Sequence, residues 1–415
     1  MRFVTNELDF YHSHNPRSLV KTYGSPLYVY NEDILRQRCK EMMNLCTYPN
    51  FIVNYAMKAN TNIHLMSIVR EKGLHIDASS PGEVVAAMAA GYTSAEIMFI
   101  VNNASAWELK YAIDLGLIIS VDSLSQLEAY GKLNPGGKIC LRFNPGIGGG
   151  HHEKVITAGD GTKFGIMPGD IPQVKELLTK YNLQLTGINH HIGSQNRGDL
   201  YLDGVHELLT IARQFPGLEF IDLGGGFAIP YNKQDGEKPM DLQALGQSLD
   251  KFMNEFVASY GKKVTFIVEP GRYIAAECGV LLGTIHAIKD CGHARYAGTD
   301  MGFSVFARTT LYDAHHDVEI YREGNAPLGN DTEIINIVGD QCESGDYIVK
   351  ERRLPLLREG DVLGVLDTGA YGYSMSSQYN HRPRPAEILI QSDGSIKQIR
   401  RRDTFESMLE NMKEL

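Results

Sequence analysis

The sequence predicts an α/β unit joined to an all-β one: a (β/α)8 TIM barrel with a second β domain. Three observations lead there. Between residues 26 and 282, eight short apolar runs alternate with amphipathic stretches. Apolar residues in those stretches recur at three and four positions, which is the helical period. After residue 283 the chain turns to runs rich in β-branched residues and bounded by Gly, Asp and Asn, which read as short strands. An open doubly wound sheet shares the alternation, but eight strands in about 250 residues match a closed barrel.

The runs follow in order. FIVNYAMK (51–58) precedes TNIHLMSIVREKG, whose last residue suits a helix C-terminus. LHIDASS (74–80) leads into PGEVVAAMAAG, and IMFIV (97–101) into ASAWELKYAIDLG. LIISVDS (117–123) and KICLRFN (138–144) come next, with the helical GDIPQVKELLTKYN beyond them. LTGINHHIG (185–193) is followed by YLDGVHELLTIARQF, and FIDLGGG (220–226) and VTFIVEPG (264–271) complete the set. GVLLGTIHAIKD, TEIINIVGD, DVLGVLDTG and AEILIQSDGSIKQIRR supply later strands. Residues 1–25 lie outside the barrel pattern and are expected to cover or join the β domain. The domains are therefore read as 26–282 and as 1–25 with 283–415.

The totals narrow the partners. The 415 residues are 43% hydrophobic and 22% charged, as in a water-soluble globular chain. A formal net charge of −10 argues against a nucleic-acid backbone as partner. No apolar run reaches membrane-spanning length. The opening MRFVTNELDFYHSHNP is polar and carries no secretory pattern, so a cytoplasmic setting is expected. The six cysteines are spaced neither as CxxC nor with a zinc-type His repeat, so reduced thiols and no metal are expected. Cys342 stands apart because its neighbours, in VGDQCESGDY, are polar.

A barrel places its chemistry at the C-terminal ends of its strands. Here the strand ends offer Lys58, Asp77 and Ser80, Asn102, Asp122, Arg142 and Asn144, His191 and Ser194, Gly224–Gly226, and Glu269 with Arg272. Loops begin at strand ends, and that alone accounts for Asn102 and Asp122. It accounts poorly for a lysine closing an apolar strand. A desolvated lysine loses its proton more readily and can bond a carbonyl carbon. Gly224, Gly225 and Gly226 leave room for a phosphate to meet backbone N–H groups, and Ser194 could add a hydroxyl. Glu269, Gly271 and Arg272, in EPGR, set an acid and a guanidinium about a rigid turn. His191 could stack on a flat ring. A lysine, a phosphate cradle, a ring platform and an acid converge on pyridoxal 5'-phosphate as cofactor.

Ten motifs in order resemble the fold-type III pyridoxal-phosphate-dependent decarboxylases: YAMKAN, DASSPGE, LRFNPG, EKVITAGDGTKFGI, HHIGSQ, DLGGGFAIPY, EPGR, LYDAHH, CESGD and GAYGYSMSSQYNHRPRPAEILI. Together they span almost the whole chain. CESGD and SMSSQYNHRPRPAE point to the branch acting on meso-2,6-diaminopimelate. The resemblance implies an alanine racemase-like arrangement of barrel and β-sandwich or β-barrel domain. It implies that Lys58 bonds the cofactor, with Asp77 beside it, His191 on the ring and Glu269 at the pyridine nitrogen. Ser194, Gly224–Gly226 and the EPGR turn would take the phosphate. Arg272, Arg308 and Tyr312 would hold the substrate's distal carboxylate, and Tyr371 would touch cofactor and substrate. Cys342 would be a proton donor and Glu343 a reader of the distal ammonium, both entering the barrel of a second copy, which implies a homodimer. One departure stands out. MGFSVFARTTLY (301–312) is about two residues longer than the family segment and lacks its Asn-Asp pair and the proline after Arg308. That segment bears on substrate choice, so a related decarboxylase acting on another amino acid, free or carrier-bound, is the alternative. A racemase would need a tyrosine base opposite Lys58, where QCESGD is read instead. A non-catalytic relative would tend to lack Lys58, Cys342 or Glu343, and all three are present.

Overall fold

The computed structural model of the chain describes residues 1–149, 157–159, 161–193, 198–325 and 328–413. It divides into two compact units. One comprises Met1–Leu35, Pro230–Lys238 and Ala275–Leu415; the other comprises Arg36–Ile229 and Pro239–Ile274.

Strand β1 (Leu27–Asn31) belongs to the first unit. The second unit is a closed parallel barrel of β2 (Phe51–Ala56), β3 (His75–Ala78), β4 (Ile97–Ile100), β5 (Ile118–Val121), β6 (Lys138–Arg142), β7 (Gln184–Asn189), β8 (Phe220–Asp222) and β9 (Thr265–Val268). β9 returns to β2, with Phe51 opposite Phe266 and Val53 opposite Val268. The eight apolar runs are these eight strands. Each strand stops short of the end of its run, because ladder pairing ends where the chain turns toward its helix. Those ends therefore form loops at one rim. Several of the helices start with side-chain caps, Asn62, Ser80, Ser105, Ser123 and Asp241 each accepting a backbone N–H in the first turn.

Met98, Cys140, Phe220 and Ile267 fill the barrel interior, with Ile52 and Ile100 against them. Gly187 makes that packing possible: a Cβ there would lie 2.1 Å from the Phe220 ring. Among the polar interior groups, Ser120 Oγ donates to Asn189 Oδ1 at 2.7 Å.

The first unit is a nine-stranded mixed sheet. Its remaining strands are β10 (Gly279–Asp290), β11 (Arg295–Thr299), β12 (Val318–Tyr321), β13 (Thr332–Val338), β14 (Tyr347–Pro355), β15 (Val362–Val365), β16 (Ala386–Ile390) and β17 (Ile396–Arg400). The order is β14-β13-β11-β10-β1-β16-β17, with β15 pairing both β10 and β12. β1 runs parallel to β16 and antiparallel to β10. The opening residues are tied to this sheet through Thr5, whose N–H donates to the buried Glu319 at 3.0 Å. All six cysteines are free thiols. Among the described residues no helix is long and apolar enough to cross a membrane.

Candidate active site

The rim of the barrel gathers buried charge. Lys58 sits in the 3-10 turn Met57–Ala59 that follows β2, and its Nζ lies 3.5 Å from Asp77 Oδ2 at the end of β3. The Asp77 side chain is only 2% exposed, whereas that of Lys58 is 43% exposed. Burial raises the Asp77 pKa, and the Lys58 ammonium and Arg142 guanidinium oppose that only in part. Asp222 closes β8, and Glu269 follows β9 directly. Burial pushes Asp222 up to about 6. Burial, and then the charges of Asp222 and Asp77, raise Glu269 well above the usual carboxylate range. Arg142 ends β6, faces all these acids and Asp122, and rests over the Phe164 ring at 4.6 Å.

Four carboxyls thus surround two cations, too many anions for a desolvated site to hold ionised at once. One oxygen on each acid, Asp77 Oδ1, Asp122 Oδ2, Asp222 Oδ2 and Glu269 Oε1, is buried without a hydrogen-bond partner among the described residues. Such oxygens call for a donor or a cation from outside the chain.

His191 lies two residues beyond β7 and is half-buried. Its Nδ1 accepts the Gly225 N–H at 3.1 Å, so a neutral ring carries its proton on Nε2. Burial, and then Lys58, Arg142 and His190, hold its pKa well below the ordinary histidine value. The glycine run is packed to the limit. A Cβ on Gly224 would lie 2.1 Å from His190 O, one on Gly225 2.4 Å from Glu269 O, and one on Gly226 2.9 Å from Gly193 O. Gly224 and Gly226 also have φ of +68° and +125°, which favour glycine. Two of the three N–H groups expected to face a phosphate have partners inside the chain. Gly224 N–H donates to Asp222 Oδ1 at 2.8 Å, and Gly225 N–H donates to His191. The run therefore orients an acid and an imidazole as well as leaving space. Gly271 carries a similar constraint, its Cβ position 3.0 Å from Ala56 O. Arg272, nearly buried, opens the short helix Arg272–Ala275. Ser194 lies outside the described residues.

These residues fit pyridoxal phosphate. An amine stands beside a paired acid, a neutral flat ring sits beside a glycine cradle, and a buried glutamate oxygen lacks a donor that a protonated ring nitrogen would supply.

The sheet unit holds the remaining candidates in two groups. Arg308 and Tyr312 open and close the helix Arg308–Tyr312. Arg308 is 1% exposed, and its Nε donates to His316 Nε2 at 3.2 Å. His316 Nδ1 lies 2.7 Å from Leu366 O, so its proton is on Nδ1 and Nε2 is free to accept. Tyr231 lies under the guanidinium at 4.9 Å. Tyr371, beyond β15, holds φ of +56°, unusual for a bulky residue.

Cys342 and Glu343 form the second group, on the loop between β13 and β14. Asp346, buried at the base of that loop, accepts N–H groups from Phe303 at 2.6 Å and Gln341 at 2.9 Å. At the exposed tip, Asn380 contacts Cys342 and the Tyr379 hydroxyl donates to Glu343. Reading by strand ends singled out neither Asp222 nor the Tyr379–Asn380 pair, and noted Arg142 without a role. Asp222 carries the same signal as Asp77, an acid closing an apolar strand. Tyr379 and Asn380 carry none that periodicity could reveal.

The chain matches known proteins along most of its length. Residues 32–276 match the family described as pyridoxal-dependent decarboxylase, pyridoxal binding domain. It is 38% identical over 401 residues to a diaminopimelate decarboxylase of Methanothermobacter thermautotrophicus, covering 94% of this chain and 92% of that protein. It is 32% identical to the diaminopimelate decarboxylase of Escherichia coli K12, covering 93% of each. Among solved structures, diaminopimelate decarboxylase from Helicobacter pylori complexed with L-lysine superposes with a TM-score of 0.87 at 28% identity, covering 96% of this chain and 99% of that one.

Proposed function

The chain belongs to the diaminopimelate decarboxylase family of pyridoxal-dependent decarboxylases, and from that premise we propose that it converts meso-2,6-diaminopimelate to L-lysine and CO2. The observation that carries the reading is the rim of buried acids around Lys58, with a Glu269 oxygen, Oε1, that has no hydrogen-bond partner among the described residues. In the reaction one α-carboxylate leaves as CO2, its bonding pair stays on the α-carbon, and a proton takes its place. Bound pyridoxal phosphate supplies an electron sink for that pair.

The chain's own residues divide the remaining work. Lys58 offers the amine that bonds the cofactor, and Asp77 holds that amine in place. Glu269 would accept a hydrogen bond from the cofactor's protonated ring nitrogen, with Asp222 beside it keeping negative charge available. His191, held neutral by the Gly225 N–H and by burial, presents a flat uncharged face. Arg272, Arg308 and Tyr312 take the distal carboxylate. A substrate without that carboxylate would forgo those charge-assisted hydrogen bonds. Cys342 gives its thiol proton to the α-carbon, Glu343 receives the distal ammonium, and Tyr371 borders both ligands. In this reading Cys342 and Glu343 act in the barrel of a second copy, so the working unit is a homodimer. A cytoplasmic setting belongs to the same reading, in keeping with six cysteines that form no disulfide.

The test is direct. Purified protein loaded with pyridoxal phosphate should release CO2 and lysine from meso-2,6-diaminopimelate and leave lysine, ornithine and arginine largely untouched. No CO2 from diaminopimelate rejects the assignment, and CO2 from another amino acid moves it to the alternative substrate that the unusual 301–312 segment would favour. Cys342→Ala should lower turnover at least about 100-fold while keeping the cofactor absorbance. Loss of the absorbance instead sinks the proton-donor role.

A further inference from the structure

We propose that Tyr379 and Asn380 are positioning residues for this reaction, Asn380 setting the Cys342 thiol and Tyr379 setting the Glu343 carboxylate. The inference rests on the reading that Cys342 donates the proton and Glu343 receives the distal ammonium.

A cysteine and a glutamate on an exposed loop tip have several rotamers open to them, and a reacting group must be held in one. Asn380 grips Cys342 at two points. Its Oδ1 accepts the Cys342 N–H at 3.2 Å, and its Nδ2 donates to Sγ at 3.3 Å. The Tyr379 hydroxyl donates to Glu343 Oε1 and lies 3.8 Å from Cys342 Sγ. With the phenol proton on Glu343, the hydroxyl oxygen faces the thiol as an acceptor. One short chain of hydrogen bonds therefore runs from thiol to phenol to carboxylate. Glu343 first, and Cys342 second, hold the Tyr379 proton more tightly than an ordinary phenol does, so the donor persists across the working pH range.

The pair is itself anchored. Ser377 N–H donates to Ser304 O at 2.8 Å, and Gln378 Nε2 donates to Asp403 at 2.7 Å. Arg382 donates to Asp340 O at 3.0 Å, and the Tyr379 ring rests against Phe303 at 5.2 Å between centroids. Asn380 and His381 both have φ of +53°, where side chains other than glycine are strained.

Three variants of the loaded enzyme test the assignment. Asn380→Gly keeps the left-handed turn and removes the amide. It should lower kcat about tenfold and leave KM for diaminopimelate within about twofold. Tyr379→Phe keeps the ring and removes the hydroxyl. It should raise KM about tenfold and leave kcat within about twofold. Asn380→Asp retains an acceptor for the Cys342 N–H but no donor to Sγ, and should fall between Asn380→Gly and the parent in kcat. The opposite pattern, parental kcat and KM in both of the first two variants, overturns the proposal. So does a fall in kcat and rise in KM together with a lowered melting temperature, which marks a merely structural role. Cys342→Ala, run alongside, separates the two levels. If it turns over at the parental rate, the proton-donor reading has failed; if it is slow and Asn380→Gly is not, only the positioning role has failed.

Discussion

Asp222→Asn should make the cofactor-free protein more stable at neutral pH, although it removes a residue from the site. Asp222 is fully buried, its Oδ2 has no hydrogen-bond partner among the described residues, and burial raises its pKa from 3.8 to about 6. The native state therefore keeps the Asp222 proton up to about pH 6, whereas an unfolded chain releases it near 4. Between those values the native state binds more protons, so its stability falls as pH rises. Above about 6 the full cost is present, and below about 4 it has gone. At ~1.4 kcal/mol per pKa unit the shift amounts to about 3 kcal/mol, an upper bound because the coupled Glu269 adjusts its own proton. Asparagine keeps an oxygen for the Gly224 N–H and adds no charge.

Urea unfolding of the cofactor-free protein and of Asp222→Asn at pH 5 and pH 7.5 measures this. The variant's midpoint should exceed the parent's at pH 7.5, and the gap should narrow at pH 5. An equal gap at both values, or a wider one in acid, would falsify the picture of an over-acidic rim. Adding pyridoxal phosphate should stabilise the parent more than the variant, because a ring N–H would then satisfy the acids that burial leaves wanting.

Two further substitutions follow from close packing. Gly225→Ala sets a Cβ 2.4 Å from Glu269 O and 3.2 Å from the His191 ring. The carbonyl would have to move by about 1 Å to reach an ordinary contact, a strain of roughly 1–3 kcal/mol placed on the groups that face the cofactor. Cofactor affinity, read by absorbance titration, should fall about tenfold or more, and a change under twofold would show that the cradle yields freely. Gly339→Ala sets a Cβ 2.3 Å from both Asp346 Oδ2 and Gly302 Cα at the base of the Cys342 loop. Turnover should fall while the cofactor absorbance and its titration stay parental, since the barrel residues are untouched.

The barrel was legible in the sequence for a physical reason. Strands of a parallel barrel are buried on both faces and read as near-continuous apolar runs, as in IMFIV. The sheet unit was less so. β1, β11, β12 and β14 were not picked out as strands, and β14 shows why: YIVKERRLP carries four charged residues in a row and presents several of them to solvent. At the site, single residues closing strands were visible one at a time, Lys58, Asp77 and Glu269 among them. Their sum was not. The surplus of acids at the rim exists only because the ends of β3, β5, β8 and β9 converge, a property of closure that no local window contains.

The same distinction explains why the reacting loop needs more than its own residues. The sequence CESGD supplies a thiol, a carboxylate and a turn, but its rotamers are set from 37 and 38 positions away by Tyr379 and Asn380. A barrel rim holds Asp77 and Glu269 by burial, which costs solvation and shifts their protonation. An exposed tip has no such means, and no burial to fix its geometry. Hydrogen bonds from a second anchored segment are the remaining way to restrict a thiol and a carboxylate while leaving both accessible to another molecule. On this argument, substitutions at the rim should register first in cofactor binding and pH dependence. Those at Tyr379 and Asn380 should register in kcat and KM with the cofactor unmoved.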